Sequence, residues 1–258
     1  MKTKQGFTLV EVLVAMAIGM LMLTAIYGAV NMGQRSSTGI EKKVIAQQDA
    51  RSVLGLMAME IRMASYNPNL ITGIWVNPAN CVSSPVGSGQ YPSYRNTYQG
   101  IIEATPNSLI IEMDVNGSAI IGDSENEIIS YAYDQANQYI WRETRRQGTC
   151  VQNRQPLLGA TAAGGLPKTV VVTNDIDNNG AYTAGIDIPI FRYYDGNGAE
   201  ILQANLATRI DRIRRIEITL VVDTADADPN LPSATNQGRR RLIYSTSVIP
   251  RNHLSGKY

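Results

Sequence analysis

The sequence predicts an α+β protein in which one long N-terminal helix carries a β-rich domain built on an antiparallel sheet. Three observations predict it. From Phe7 to Gln34 the only formally charged residue is Glu11, and residues 7–30 are mostly apolar. Past residue 40, apolar side chains recur at three-four spacing among charged ones, the signature of an amphipathic helix. Beyond Asn67 the chain turns rich in Tyr, Asn and Gly, with 13 Tyr against 2 Phe in the whole sequence, a usage that favours strands joined by turns. At 258 residues, 44% apolar and a formal net charge of +1, the chain has the material for one sizeable core. That balance argues against disorder and against overall polyanion binding.

The opening helix comes first. At about 1.5 Å per residue, residues 7–30 would cover a hydrocarbon core of roughly 30 Å. Lys2 and Lys4 precede the run with no acidic residue, so the bias of basic residues toward the cytoplasm places residues 1–6 inside and everything after Gln34 outside. A cleaved signal peptide is one reading, with residues 25–29 offering small-residue cleavage positions. The apolar run exceeds the roughly 7–15 residues usual there. A plain membrane anchor is another, in which Glu11 would cost roughly 2.5–3.5 kcal/mol if deep in the bilayer. Neither reading uses Glu11.

A third reading does. Gly6 is followed directly by Phe7, then Thr8 and Leu9, with Glu11 at the fifth position counted from Phe7. This resembles the prepilin signature of type IV pilins and type II secretion pseudopilins: a short basic leader ending in Gly, an aromatic residue, a hydrophobic helix and a Glu at the fifth mature position. The resemblance implies that a prepilin peptidase cuts between Gly6 and Phe7 and N-methylates the new amine of Phe7. Physically, the cut creates an ammonium at the head of an apolar helix, and two opposite charges that are each costly in lipid become much less so when paired. The helix N-terminus also favours a nearby negative charge. Between chains, Glu11 of one subunit meeting the Phe7 amine of another would select one axial offset.

The helix is predicted to continue to about Ser65. Ile40, Val44, Val53, Leu54, Met57, Ala58 and Ile61 form its apolar stripe, and Asn67-Pro68 ends it because proline disfavours a helical residue before it. Gln47 and Ala50 interrupt any coiled-coil seam, so the stripe is expected to pack on a sheet. Many major pilins carry a proline in the membrane part where this chain has Gly28. Gly19, Gly28 and Gly33 are the local flexible points. QQDARSVLGLMAMEIRMAS, residues 47–65, resembles the arm of PilW-type minor pilins and J-type pseudopilins.

The remainder reads as one β-rich domain, residues 67–258, after a leader (1–6), a membrane or filament-core helix (7–30) and its amphipathic continuation (31–66). It opens with a Pro-, Gly- and Ser-rich loop between Pro78 and Gly100. Strands are predicted at 108–115, 128–133, 139–143, 169–173, 188–194, 216–222 and 242–249. Asp195-Gly196-Asn197-Gly198 reads as a hairpin turn. Residues 223–239 form a long polar excursion, expected at the surface. PIFRYYDGNGAEI and STSVIPRN also resemble the C-terminal part of PilW-like proteins.

Two cysteines, Cys81 and Cys150, would meet an oxidising compartment if the domain is exported, which favours a disulfide over two free thiols. Closing that loop would contribute roughly 4 kcal/mol in the chain-entropy model. Asp175, Asp177 and Asn179, followed by Gly180, match the first half of an EF-hand-type loop, whose oxygens suit Ca2+. Position twelve is Ile186, and the next carboxylate, Asp187, comes one place late. A polar turn is the competing reading.

Arg142, Arg145 and Arg146, then Arg209, Arg212, Arg214 and Arg215, then Arg239–Arg241 form basic clusters. DNA binding requires them to converge, whereas spaced arginines usually pair with nearby acids such as Asp211 and Glu217. Tyr91, Tyr94 and Tyr98 could stack on bases or pack in a loop. The sole histidine, His253, is expected in a frayed C-terminal tail, without a nucleophile motif, phosphate loop or zinc spacing near it. The chain reads as a non-enzyme.

Taken with the resemblance, these features imply a minor pilin, PilW-like, in the bacterial inner membrane and then the pilus, priming assembly or sitting at the tip. Its implied partners are other major and minor pilins, the prepilin peptidase and the inner-membrane assembly platform. A J-type pseudopilin of type II secretion and a non-polymerising anchored adhesin or binding domain are the alternatives.

Overall fold

The computed structural model describes residues 6–76, 100–146, 152–159, 169–228, 231 and 236–253. Helix α1 spans Leu9–Met63, 55 residues, and at about 1.5 Å per residue is roughly 80 Å long. Its two halves differ sharply in burial. From Phe7 to Thr38 the side chains lie almost entirely in the open, whereas Ala46, Ala50, Val53, Leu54, Met57, Ala58 and Ile61 are buried against the β domain. Ile40 and Val44, expected on the buried stripe, point away from it at 59% and 42% exposure. The stripe begins instead at Ala46 and Ala50, whose small side chains let the sheet approach the helix backbone.

The helix ends two residues before the expected point. Ala64 caps it, and Ser65 takes a positive φ of 65° with its amide donating to Glu112 O at 2.8 Å. Gly100 packs so closely here that a Cβ would fall 2.5 Å from Ser65 Cα, and its φ of +73° lies in the region glycine tolerates.

Five strands form an antiparallel meander: β1 (Ile101–Ala104), β2 (Ser108–Glu112), β3 (Ile128–Asp134), β4 (Tyr139–Arg145) and β5 (Gln152–Leu158). A second antiparallel sheet contains β6 (Val170–Val172), β7 (Phe191–Tyr194), β8 (Arg215–Thr224) and β9 (Arg241–Val248). β8 is its spine. β9 pairs along one side of β8 from Ile216↔Val248 to Asp223↔Arg241, and β6 and β7 occupy the two ends of the other side. Between β7 and β8, α2 (Gln203–Arg209) runs into a 3-10 turn, Ile210–Arg212. The main core joins the α1 stripe to Leu109, Ile111 and Tyr131 of the first sheet and to Phe191, Ile216, Ile218, Leu220 and Val222 of the second. A smaller apolar cluster around Trp75, Ile102, Ile110 and Ile128 covers the other face of the first sheet.

The predicted class, a long helix on an antiparallel β domain, is the observed one. β1, β5 and α2 were not predicted. β7 starts three residues late because Pro189 cannot donate to a ladder. β2 stops at Glu112, where the Met113 and Asp114 amides turn to Glu127 O and Tyr66 O. The Asp195 turn forms as expected, with Gly198 N donating to Asp195 O and a bridge between Tyr194 and Glu200. The 223–239 excursion is not wholly superficial, since β8 continues to Thr224 and Asp228 is 4% exposed.

Candidate functional site at the head of the helix

Residues 6–8 precede the helix and are exposed, Phe7 at 87%. Thr8 is the N-cap, with extended backbone (φ −79°, ψ 151°). Its hydroxyl accepts from Glu11 N at 3.3 Å, and Glu11 Oε2 accepts from Thr8 N at 3.2 Å. The Thr8 hydroxyl also lies 3.2 Å from that carboxylate oxygen. This is a capping box: two of the amide donors that a helix start leaves orphaned are satisfied reciprocally, and a negative side chain sits at the positive end of the helix dipole.

The carboxylate therefore has a local anchor before any second chain arrives. The box holds it within the first turn, beside the residue that follows Phe7. Thr8 was read from the sequence as part of the signature, but its capping role was not. The signal was present as Thr8-Leu9-Val10-Glu11, the S/T-x-x-E pattern just before an apolar run.

Residues 1–27 match the family model of the prokaryotic N-terminal methylation motif. The chain thus carries a prokaryotic N-terminal methylation motif. Gly6, Phe7, Thr8 and Glu11 all fall inside the matched stretch, and α1 as a whole is long and apolar enough to cross a membrane, with none of its most apolar window buried. Among solved structures, the chain is similar to a type IV-like pilin from Thermus thermophilus at 13% identity and a TM-score of 0.39, over 80% of this chain and 97% of that one. No curated protein matches the sequence.

Away from this end, the acidic loop predicted as a cation site is brought together in part. Asp175, Asp177 and Asp187 place carboxylate oxygens within 4.8 Å of one another. Asp175 accepts from Asn179 N (3.3 Å) and Gly180 N (2.9 Å), and Asp187 from Ile176 N (2.7 Å) and Thr183 N (2.6 Å). Asn179 hydrogen-bonds within the same loop, its Nδ2 donating to Asp177 Oδ2 and Thr183 Oγ1 and its Oδ1 accepting from Ala181 N. Three hard carboxylate oxygens with spare lone pairs fit a divalent cation such as calcium. Asp187, one place late in sequence, reaches the cluster because the Thr183 amide folds the loop back onto it. Cys81 and Cys150 lie outside the described residues, as do Tyr91, Tyr94 and Tyr98.

Six of the clustered arginines are engaged by neighbouring groups, while Arg209 and Arg212 are exposed. Arg142 forks onto Glu60 with Nη2 at 2.8 Å, Arg145 pairs with Glu143 at 2.6 Å, Arg241 meets Asp223 through two bonds of 3.0 Å, and Arg240 pairs with Asp228. Arg214 donates to the carbonyls of Asp211 and Ile213, and Arg215 stacks over Tyr194 at 3.7 Å. Three of the four acid partners, Glu60, Asp223 and Asp228, come from elsewhere in the chain, which adjacency in sequence did not reveal.

His253 is not in a frayed tail. It is 1% exposed, with Nδ1 2.9 Å from Ser65 Oγ and Nε2 2.9 Å from Ile210 O. The carbonyl can only accept, so Nε2 carries the proton and Nδ1 accepts from the serine hydroxyl in the neutral ring.

Glu112 is among the buried acids that escaped the sequence reading. It is fully buried at the end of β2, its Oε2 accepting from Val76 N at 3.1 Å and its Oε1 without a hydrogen-bond partner among the described residues. Burial pushes its pKa well above the ordinary carboxyl value, against the smaller lowering by the Val76 amide.

Proposed function

We propose that this chain is a minor pilin of the PilW-like kind, cut after Gly6, N-methylated on Phe7 and carried into a type IV pilus by lateral packing of α1. The observation that carries this reading is the methylation motif over residues 1–27 with Glu11 held at the head of a helix that carries no other charge up to Gln34. The exposed half of α1 needs an apolar surrounding, first the inner membrane and then neighbouring pilin helices. The partners are other major and minor pilins, the prepilin peptidase and the inner-membrane assembly platform. The role is structural, in priming or at the tip, and no catalysis is assigned. In this reading the β domain is periplasmic before assembly, Cys81 and Cys150 form a disulfide, and Asp175, Asp177 and Asp187 take Ca2+ as a loop brace. DNA capture is not favoured, because six of the clustered arginines are committed to acids, carbonyls or a ring.

A J-type pseudopilin of type II secretion shares every step of this chemistry and differs in the machine, a reading supported by the resemblance of residues 47–65. Deletion separates the two: loss of surface pili and twitching fits the pilus, whereas retained pili with failed enzyme secretion fits the secretion system. Intact mass and N-terminal sequencing of the mature chain test the class. A start at N-methyl-Phe7 is the expected result, and a start at Met1 or beyond Ala25 would overturn it.

A further inference from the structure

The pattern of burial along α1 has an outlier. Residues 32–38 are exposed, Gly39 is buried, residues 40, 41, 44 and 45 are exposed, and continuous packing starts only at Ala46. Gly39 is covered by the loop that leaves β8. A Cβ built on Gly39 would lie 3.0 Å from both carboxylate oxygens of Asp228 and 3.2 Å from its Cγ, so this acid rests directly on the helix backbone. Asp228 is itself held: Arg240 pairs with the carboxylate, the Asp228 amide donates to Gly238 O at 2.6 Å, and the Leu231 amide donates to Asp228 O at 2.9 Å. One turn along, Lys42 Nζ meets Asp226 Oδ2 at 3.0 Å. The loop thus grips α1 roughly 10 Å, or seven residues, before the sheet does.

Immediately ahead of the grip lies Gly33-Gln34-Arg35-Ser36-Ser37-Thr38. Four of these six residues are poor helix formers, glycine through backbone entropy and the hydroxyl residues by competing for backbone bonds. Thr38 shows that competition, its Oγ1 donating back to Gln34 O at 2.9 Å, a contact that tends to bend helices. None of the six is covered by tertiary packing, which is where most helices in proteins gain their stability. They also lie past the apolar run, where water can replace helical hydrogen bonds.

We infer that residues 33–38 are a hinge in α1 and that the Asp226–Asp228 loop is a clasp that sets where the hinge stops. Residues 39–63 then move with the β domain as one body, while the apolar segment before residue 33 follows the membrane or its neighbours. A bend is confined to about one and a half turns instead of spreading toward Ala46. The inference rests on the geometry of helix and loop and holds for an anchor, a pilin or a pseudopilin.

Hydrogen–deuterium exchange on the full chain in detergent micelles tests it. Amides of residues 33–38 are expected to exchange at least ~100-fold faster than those of residues 50–58, with residues 40–45 protected. Gly39→Val inserts bulk under Asp228 while raising intrinsic helix propensity, so any loosening reports the clasp. Exchange across residues 40–45 should rise by at least ~10-fold with residues 50–58 unchanged. Asp226→Ala, at an exposed position, should give a smaller rise in the same window and guards against misfolding of the first variant. Protection of residues 33–38 equal to that of residues 50–58 would overturn the hinge. Unchanged exchange across residues 40–45 in both variants would overturn the clasp.

Discussion

Tyr131 of β3 donates its hydroxyl to Glu60 of α1, the same carboxylate that Arg142 of β4 grips with Nε and Nη2. The two charged side chains are only 13% and 16% exposed, so this is a mostly desolvated latch between the helix and the first sheet. Asn126 accepts from the same Nη2 at 2.8 Å. Burial of the ring, then the Glu60 charge, raises the Tyr131 pKa, so the phenol stays protonated and remains a donor.

Glu60→Ala strands the Arg142 guanidinium in a site built for a pair and should destabilise the fold by about 3 kcal/mol. The double variant Glu60→Met with Arg142→Met should lose clearly less, because no buried charge is left alone. Chemical denaturation of the purified chain in detergent gives both numbers, and equal losses would contradict the latch.

Glu112 predicts a pH dependence. Its pKa is raised in the fold, so the neutral carboxyl contributes fully below the unfolded value of about 4.3 and that contribution is lost as pH rises through the folded value. Glu112→Gln keeps the shape without the charge. Its advantage over the parent chain should therefore grow between pH 5 and pH 8 in thermal melts, and a constant difference would mean that Glu112 does not carry the proton.

Thr8→Ala and Glu11→Ala should differ in kind. The first removes a cap and costs about 1 kcal/mol at a helix end, so assembly should weaken modestly. The second removes the carboxylate expected to meet the Phe7 amine. Membrane levels should persist while the subunit disappears from sheared surface filaments or from the assembled secretion complex, as read by immunoblot.

For the acidic loop, millimolar calcium should raise the melting temperature of the chain and leave Asp187→Asn unmoved, since a ligand that binds only the folded state stabilises it by mass action. A melting temperature indifferent to calcium would leave the loop a turn braced by its own amides.

The helix was legible because its signals are local: an uncharged apolar run, a three-four repeat and Pro68 at the end. The spine and edge of the second sheet were legible for the same reason, since alternation at Ile216, Ile218, Leu220 and Val222 marks a half-buried strand. What stayed hidden depends on distant partners. The exposure of Ile40 and Val44 follows from where the sheet meets the helix, the commitment of Arg142 depends on an acid 82 positions away, and the burial of Asp228 depends on a missing Cβ at Gly39. At the N-terminal site, Gly6, Phe7, Thr8 and Glu11 stood out as a signature, whereas the capping bond between Thr8 and Glu11 did not.

His253 reaches back 188 positions to Ser65 and also holds the carbonyl of Ile210. Three stretches far apart along the polypeptide are thereby stitched at one point, and the stitch cannot be tied until residue 253 has left the ribosome. Fastening of the long rod does not depend on that seam alone, because Glu60 also meets Tyr131 and Arg142, far earlier in the chain.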